Sequence, residues 1–187
     1  MSNPPSLRDH FLIAMPALAD PNFSHTVTYI CEHNEDGAMG IVINRLMAIT
    51  LADVLEQMAI VPSSRLDTTQ AVHEGGPVQP EHGFVIHSPV GAWESSLGIS
   101  EQIALTTSRD ILAAIAHAEG PSRYLIALGY AGWGPGQLEQ EMAQNAWLSG
   151  PASLEILFEL PLEKRWAAAA ELLGVDLNLI SSEIGHA

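Results

Sequence analysis

The sequence predicts an α+β fold: a single domain over residues 1–187, with a mixed β-sheet core containing hairpins and about four amphipathic helices flanking it. Three observations lead there. Short runs rich in β-branched and aromatic residues recur between glycine and proline breakers, as strands do. Other segments place apolar residues at i, i+3, i+4 and i+7, the spacing of one helical face. The two kinds alternate irregularly, without an internal repeat, which argues against a regular βαβ array.

In chain order, residues 11–15 form an apolar strand closed by Pro16, and 26–31 a second strand, with a loop over 17–25. Asn34-Glu35-Asp36-Gly37 then supplies a tight turn, because glycine accepts positive φ, so 26–31 and 38–43 are expected to pair as a hairpin. Thr50 is placed to cap a helix whose face carries Leu51, Val54, Leu55 and Met58. Residues 62–82 are dense in breakers and read as ordered loop around a short strand at 71–73. Strands follow at 83–87 and 102–106, with 90–98 expected as loop. Ser108 then caps a helix carrying Ile111, Leu112, Ile115 and Ala116, stopped by Gly120-Pro121. A continuous apolar strand at 124–128 leads into a glycine-rich turn, a helix from Gln137 and a last strand at 154–158. Pro161 opens a final helix with Leu162, Trp166, Ala169, Ala170 and Leu173 on one face, and Gly174 as its stop. The core is expected over about 7–174, with both termini flexible and a frayed tail after Leu179.

Composition bounds the function. With 187 residues and 47% hydrophobic residues, the chain can bury a sizeable core unaided. Its 22 acidic against 7 basic residues give a formal charge of −15. Such a field repels phosphate backbones and anionic membrane surfaces, so neither direct nucleic-acid binding nor membrane docking is expected. No stretch approaches a bilayer span of about 20 apolar residues. The single Cys31 fits a reducing compartment, and the cytoplasm is the expected location. Residues 11–19 resemble a signal-peptide core, but Pro16 interrupts the run and Arg8 is offset by Asp9.

The densest motif is Gly129-Tyr130-Ala131-Gly132-Trp133-Gly134-Pro135-Gly136-Gln137-Leu138-Glu139-Gln140-Glu141. A strand, a glycine turn and a helix start can aim backbone N–H groups at an anion. Yet the P-loop lysine and the G-x-G-x-x-G fingerprint are both missing, and Glu139 and Glu141 oppose a phosphate. The bland alternative is a packed corner in which Trp133 folds onto the core, Gln137 satisfies turn carbonyls and the glutamates favour the helix start. His73, His82 and His87 with Glu74 and Glu81 could ligate a metal only if their loop folded favourably, and no metal or other cofactor is expected. Cys31 and His33 share a strand face as a thiol and base would, without the rest of a thiol-protease set, and Ser24-His25 lacks an orienting carboxylate. Asn44-Arg45 and Glu74-Gly75-Gly76-Pro77 could line one cleft with the glycine turn. The candidate binding surface is therefore Asn44, Arg45, Gly75, Gly76, Gly132, Trp133 and Gln137, with no catalytic residue assigned.

Several blocks together carry a family likeness: Phe11-Leu12-Ile13-Ala14-Met15-Pro16, Asp20-Pro21-Asn22-Phe23, Glu32-His33, Gly37 through Arg45, Gly75-Gly76-Pro77-Val78, and Gly129 through Glu141 with Asn145-Ala146-Trp147. In order and spacing they resemble the AlgH/YqgE family of bacteria, over about residues 7–174. Two positions depart from its pattern: Leu46 stands where proline is usual, and His25 where arginine is common. The resemblance implies a single-domain cytosolic bacterial protein of α+β fold, in a family without an established biochemical activity, one branch being linked genetically to regulation of alginate synthesis. A DNA-contacting regulator should present a basic face or a helix-turn-helix, and neither is legible here. The reading that follows is a non-enzymatic binding or regulatory protein acting through a protein or small-ligand partner, the alternative being a small-ligand enzyme built on the glycine turn.

Overall fold

A computed structural model describes residues 5–184, with only the backbone described for 181–184. The strands are β1 (His10–Ala14), β2 (Val27–Asn34), β3 (Gly37–Val42), β4 (Leu46–Thr50), β5 (Ala71–Glu74), β6 (Val78–Ser88), β7 (Ser96–Gly98), β8 (Ala104–Thr106), β9 (Arg123–Trp133) and β10 (Trp147–Pro151). The helices are α1 (Leu51–Gln57), α2 (Arg109–Ala116), α3 (Gln137–Ala143), α4 (Leu154–Phe158), α5 (Arg165–Glu171) and α6 (Leu177–Ile184), with a 3-10 turn at Leu162–Lys164. The α+β class holds, with a mixed sheet and six helices among the described residues rather than about four. No helix among the described residues is long and apolar enough to cross a membrane.

The sheet runs β10-β1-β2-β3-β9-β6-β8-β7, and β5 joins β9 to β4 off that path. Its pairs are antiparallel except β5 with β9. The β2–β3 hairpin closes at Asn34↔Gly37 as its turn residues dictate. At the end of β4, Asp53 accepts the Thr50 amide at 2.8 Å and starts α1 as a capping box.

β9 organises the rest. It does not stop at Leu128 but continues to Trp133, because its second half pairs with β3 (Ala38↔Trp133, Gly40↔Ala131) while its first half pairs with β6 and β5. The changeover needs backbones almost in contact. A Cβ on Gly75 would lie 2.3 Å from the Gly129 carbonyl oxygen, and one on Gly76 (φ +153°) 2.2 Å from the Tyr130 carbonyl carbon. Only glycine permits that crossing. The Gly75-Gly76 block is thus explained by chain crossing.

Three apolar clusters fill the fold. The first packs β1, β2 and β9 against α4, α5 and α6, through residues such as Phe11, Tyr29, Ile41, Leu157 and Leu177. The second buries α1 and α2 under β5, β6 and β9. The third gathers Leu12, Trp133, Leu138 and Trp147 beneath α3.

Several local expectations are corrected. Residues 154–158 form helix α4, where a strand was expected. The Ser153 hydroxyl accepts the Ile156 amide at 3.3 Å and caps it, and five residues, four of them apolar, are too few to reveal a period. The strand beside β1 is β10, on the sheet edge, where Pro151 costs no ladder bond. β4 and β7 fall in stretches read as connection or loop, and 177–184 is helix α6 rather than a frayed tail. The flexibility expected of residues 1–4 and 185–187 lies outside the described residues.

Candidate functional site

The glycine turn is a closed corner. Trp133 is 6% exposed, and its indole N–H donates to Glu141 Oε1 at 3.2 Å. Trp147 donates to the same oxygen at 3.0 Å, and Gln137 Nε2 to Glu141 Oε2 at 2.9 Å. Gln137 Oε1 accepts the Gly134 amide at 3.0 Å, so the glutamine satisfies a turn amide rather than the carbonyls expected. Phe23 completes an aromatic cluster with both tryptophans, its ring centroid 6.0 Å from Trp133 and 5.5 Å from Trp147. Glu139 stays in the first turn of α3, where its own backbone N–H lowers its pKa, and it also meets His33 Nε2, whose Nδ1 accepts the Leu7 amide at 2.9 Å. Neither glutamate is left to receive a ligand.

The sequence-predicted surface is strung out along β3 and the chain crossing instead of lining one cleft. Asn44 Oδ1 accepts the Val27 amide and its Nδ2 donates to the His25 carbonyl, both at 2.8 Å, while Arg45 donates to the Pro21 and Ser24 carbonyls at 2.7 and 2.9 Å. Together they pin the loop between β1 and β2. Gly75 lies beside them, its carbonyl accepting the Val42 amide at 2.8 Å, and Gly76 adjoins it at the crossing. Trp133 and Gln137 lie toward the opposite end of β3, which at the usual rise per strand residue puts Trp133 about 20 Å from Asn44, while Gly132 lies between them, two residues beyond the Tyr130 backbone that Gly76 touches. A hollow of about 360 Å³ does border Trp133, but Glu32, Asn34 and Asp36 line it, and none of the other candidate residues does.

The other candidates are occupied by structural bonds. Cys31 sits at a β-bulge between Ile30 and Glu32, fully buried, and burial pushes its thiol pKa far up, which removes the thiolate. His87 Nδ1 donates to the Pro89 carbonyl at 2.9 Å, and its Nε2 meets the Thr106 hydroxyl at 2.7 Å. His73 and His87 flank different sides of β9. No group of three or more His, Cys, Asp or Glu among the described residues is arranged to hold a metal.

A cleft of about 300 Å³ instead opens between the β4–β5 pair, the start of β9 and the start of α5. Leu46, Tyr124, Leu125 and Leu162 give it largely apolar walls, and the polar side chains that line it are Gln70, His73 and Arg165. Arg165 is 8% exposed. Its Nε donates to the Leu160 carbonyl at 3.1 Å, and Nη1 donates both to the Ile43 carbonyl and to His73 Nε2, the latter at 3.1 Å. His73 Nδ1 donates to the Ile126 carbonyl at 3.2 Å, so the bonding pattern assigns the neutral Nδ1-protonated tautomer. Burial first, and the adjacent guanidinium second, lower the His73 pKa from 6.5 to about 4. Burial also draws the Arg165 pKa down, yet a guanidinium stays charged at neutral pH.

Arg165 therefore brings a buried positive charge without a carboxylate partner, since the ion pairs among the described residues are His33–Glu139 and Arg123–Glu159. Sequence reading named His73 as a possible metal ligand and passed over Arg165. Helical spacing carried the missing signal: Arg165 is three residues after Leu162 and four before Ala169, on the face assigned to the core. A lone arginine on a buried stripe asks for a partner.

The family profile described as AlgH-like, DUF179, matches residues 11–178. The chain belongs to the AlgH-like family. A UPF0301 protein of Thioalkalivibrio sulfidiphilus is 62% identical over 179 residues, covering 96% of each chain. Another from Nitrosococcus oceani is 57% identical over 180 residues, again 96% of each. The solution structure of the AlgH protein from Pseudomonas aeruginosa superposes with a TM-score of 0.81 at 52% identity, over 97% of this chain and 96% of that one. A crystal structure of a protein from Corynebacterium diphtheriae has a TM-score of 0.75 at 20% identity, over 97% and 94%, a likeness of fold alone. These likenesses make the architecture of this AlgH-like chain a family property.

Proposed function

We propose that this AlgH-like chain is a non-enzymatic binding protein that takes a small ligand in the cleft over His73 and Arg165. The observation that carries the reading is the Arg165 guanidinium, buried in the wall of an open cleft with no carboxylate in ion-pair contact, Glu163 acting on it only through its charge at longer range. A buried charge is retained at a cost of several kcal/mol unless something complements it, and a ligand can. The cleft volume lies at the small end of ligand sites, which run from roughly 300 Å³. Catalysis is not supported there: both His73 ring nitrogens are engaged, and no nucleophile lines the walls. The glycine turn does not support the enzyme alternative either, because Trp133 is buried and Gln137 and Glu141 are bonded to one another. Any regulatory output would pass through a ligand or protein contact, since 7 basic residues against 22 acidic ones suit no duplex.

A thermal-shift screen of small metabolites on the full chain and on Leu46→Trp, which plugs the mouth from a half-exposed position, tests the proposal. At least one chemical class should raise Tm in the wild type and lose most of that effect in the variant. No stabilising compound, or stabilisation that survives the plug, would sink it.

A further inference from the structure

The donor count of Arg165 narrows the ligand further, granted the cleft reading above. A guanidinium has five N–H donors. One on Nε reaches the Leu160 carbonyl, and two on Nη1 reach the Ile43 carbonyl and His73 Nε2. The two on Nη2 have no partner among the described residues, although the side chain is more than nine-tenths buried and forms part of the cleft wall. We infer that Nη2 is the anchor for the carboxylate of a monoanionic ligand whose remaining body is small and apolar.

Charge sets the first half of that description. Nη2 supplies the one positive centre in the wall, because the neighbouring His73 accepts from Arg165 and stands there as a neutral ring. A single cation in a chain of formal charge −15, with Glu163 two residues away, balances one negative charge and leaves a phosphate dianion in excess. Shape sets the second half. Leu46, Tyr124, Leu125 and Leu162 offer mostly hydrocarbon and ring surface, so an apolar body leaves water there, whereas a polyhydroxylated one would find few side-chain partners beyond Gln70 and the Tyr124 hydroxyl. His73 acts as a positioning residue: by accepting from Nη1 and donating to the Ile126 carbonyl, it holds the guanidinium through Nη1 and leaves Nη2 unengaged.

The test uses calorimetric titration of the full-length protein at low ionic strength with benzoate and hexanoate, their neutral amides benzamide and hexanamide, and inorganic phosphate. The charged members should bind at least about tenfold tighter than their amides, the worth of one charge-assisted hydrogen bond. Phosphate should bind more weakly than benzoate. Leu46→Trp should reduce benzoate affinity by a similar factor, and Arg165→Lys, which keeps the charge but loses the planar fork, should also weaken it. Should Arg165→Lys fail to fold, the amide comparison and Leu46→Trp decide alone. Equal binding of acid and amide, or phosphate at least as tight as benzoate, overturns the carboxylate assignment. So does silence from both acids. If neutral compounds then bind and Leu46→Trp abolishes that binding, the cleft reading survives without the carboxylate. If no compound responds to the plug, both fall.

Discussion

Lowering the pH from 7 to 5 should remove about 2 kcal/mol of stability through His73 alone. In the folded chain, burial and the Arg165 charge hold the imidazole near a pKa of about 4, against 6.5 when free. The unfolded chain therefore binds the proton more readily between those values, and stability rises with pH across that window. The contribution is fully present above 6.5 and is lost progressively as pH falls to about 4. At 1.36 kcal/mol per pKa unit, the whole window is worth about 3 kcal/mol, most of which has gone by pH 5. Only 8% of the residue is exposed, so solvent screening removes little of this. The assay is urea unfolding of wild type and His73→Gln at several pH values between 7 and 4.5. His87 is also depressed by burial and adds loss of the same sign to both proteins, as do the carboxylates at lower pH, so the difference between the two curves isolates His73. The variant should start less stable, with Nη1 of Arg165 imperfectly matched, and fall less steeply. Parallel curves would refute both the neutral tautomer and the assigned bond to Arg165.

Two further outcomes probe the elements that frame the cleft and the corner. Glu141→Ala strips the acceptor shared by the Trp133 and Trp147 indoles, leaving two N–H groups unpaired, and should cost roughly 2–4 kcal/mol in chemical unfolding with a shifted tryptophan emission. Unchanged stability would mean that water reaches both indoles. Gly76→Ala should lower stability by about 3 kcal/mol or more, or block folding, because its Cβ meets the Tyr130 backbone at positive φ. Gly98→Ala, with nothing within 4 Å of the new methyl, should stay within about 0.5 kcal/mol of wild type. Equal effects at the two glycines would disprove the crossing as the reason for Gly76.

What the sequence determined by itself is local. Asp36-Gly37 specifies the hairpin because its turn conformation depends on those residues alone. The start of α1 follows from its capping box and apolar period. Helix α2 begins after Ser108 as its apolar period indicates, although the Ser108 hydroxyl donates to Asp110 Oδ1 instead of capping the helix. Helix α3 begins at Gln137 after the glycine turn, and the buried strands around Phe11, Tyr29 and Phe84 follow from their residue types. The same local information misassigned α4, since a five-residue stretch with four apolar positions satisfies strand and helix alike until the Ser153 cap and the packing of Ile156 and Leu157 choose. Of the candidate surface, the sequence marked real constraints but not their cause: Gly75 and Gly76 are constrained by Gly129 and Tyr130, about fifty residues away, and Asn44 by the loop it pins. His73 and Arg165 are 92 positions apart, and no spacing rule joins them. Only the tertiary structure decided that an arginine at the start of α5 would lie beneath β5, because burial and pairing depend on which surfaces the sheet brings together.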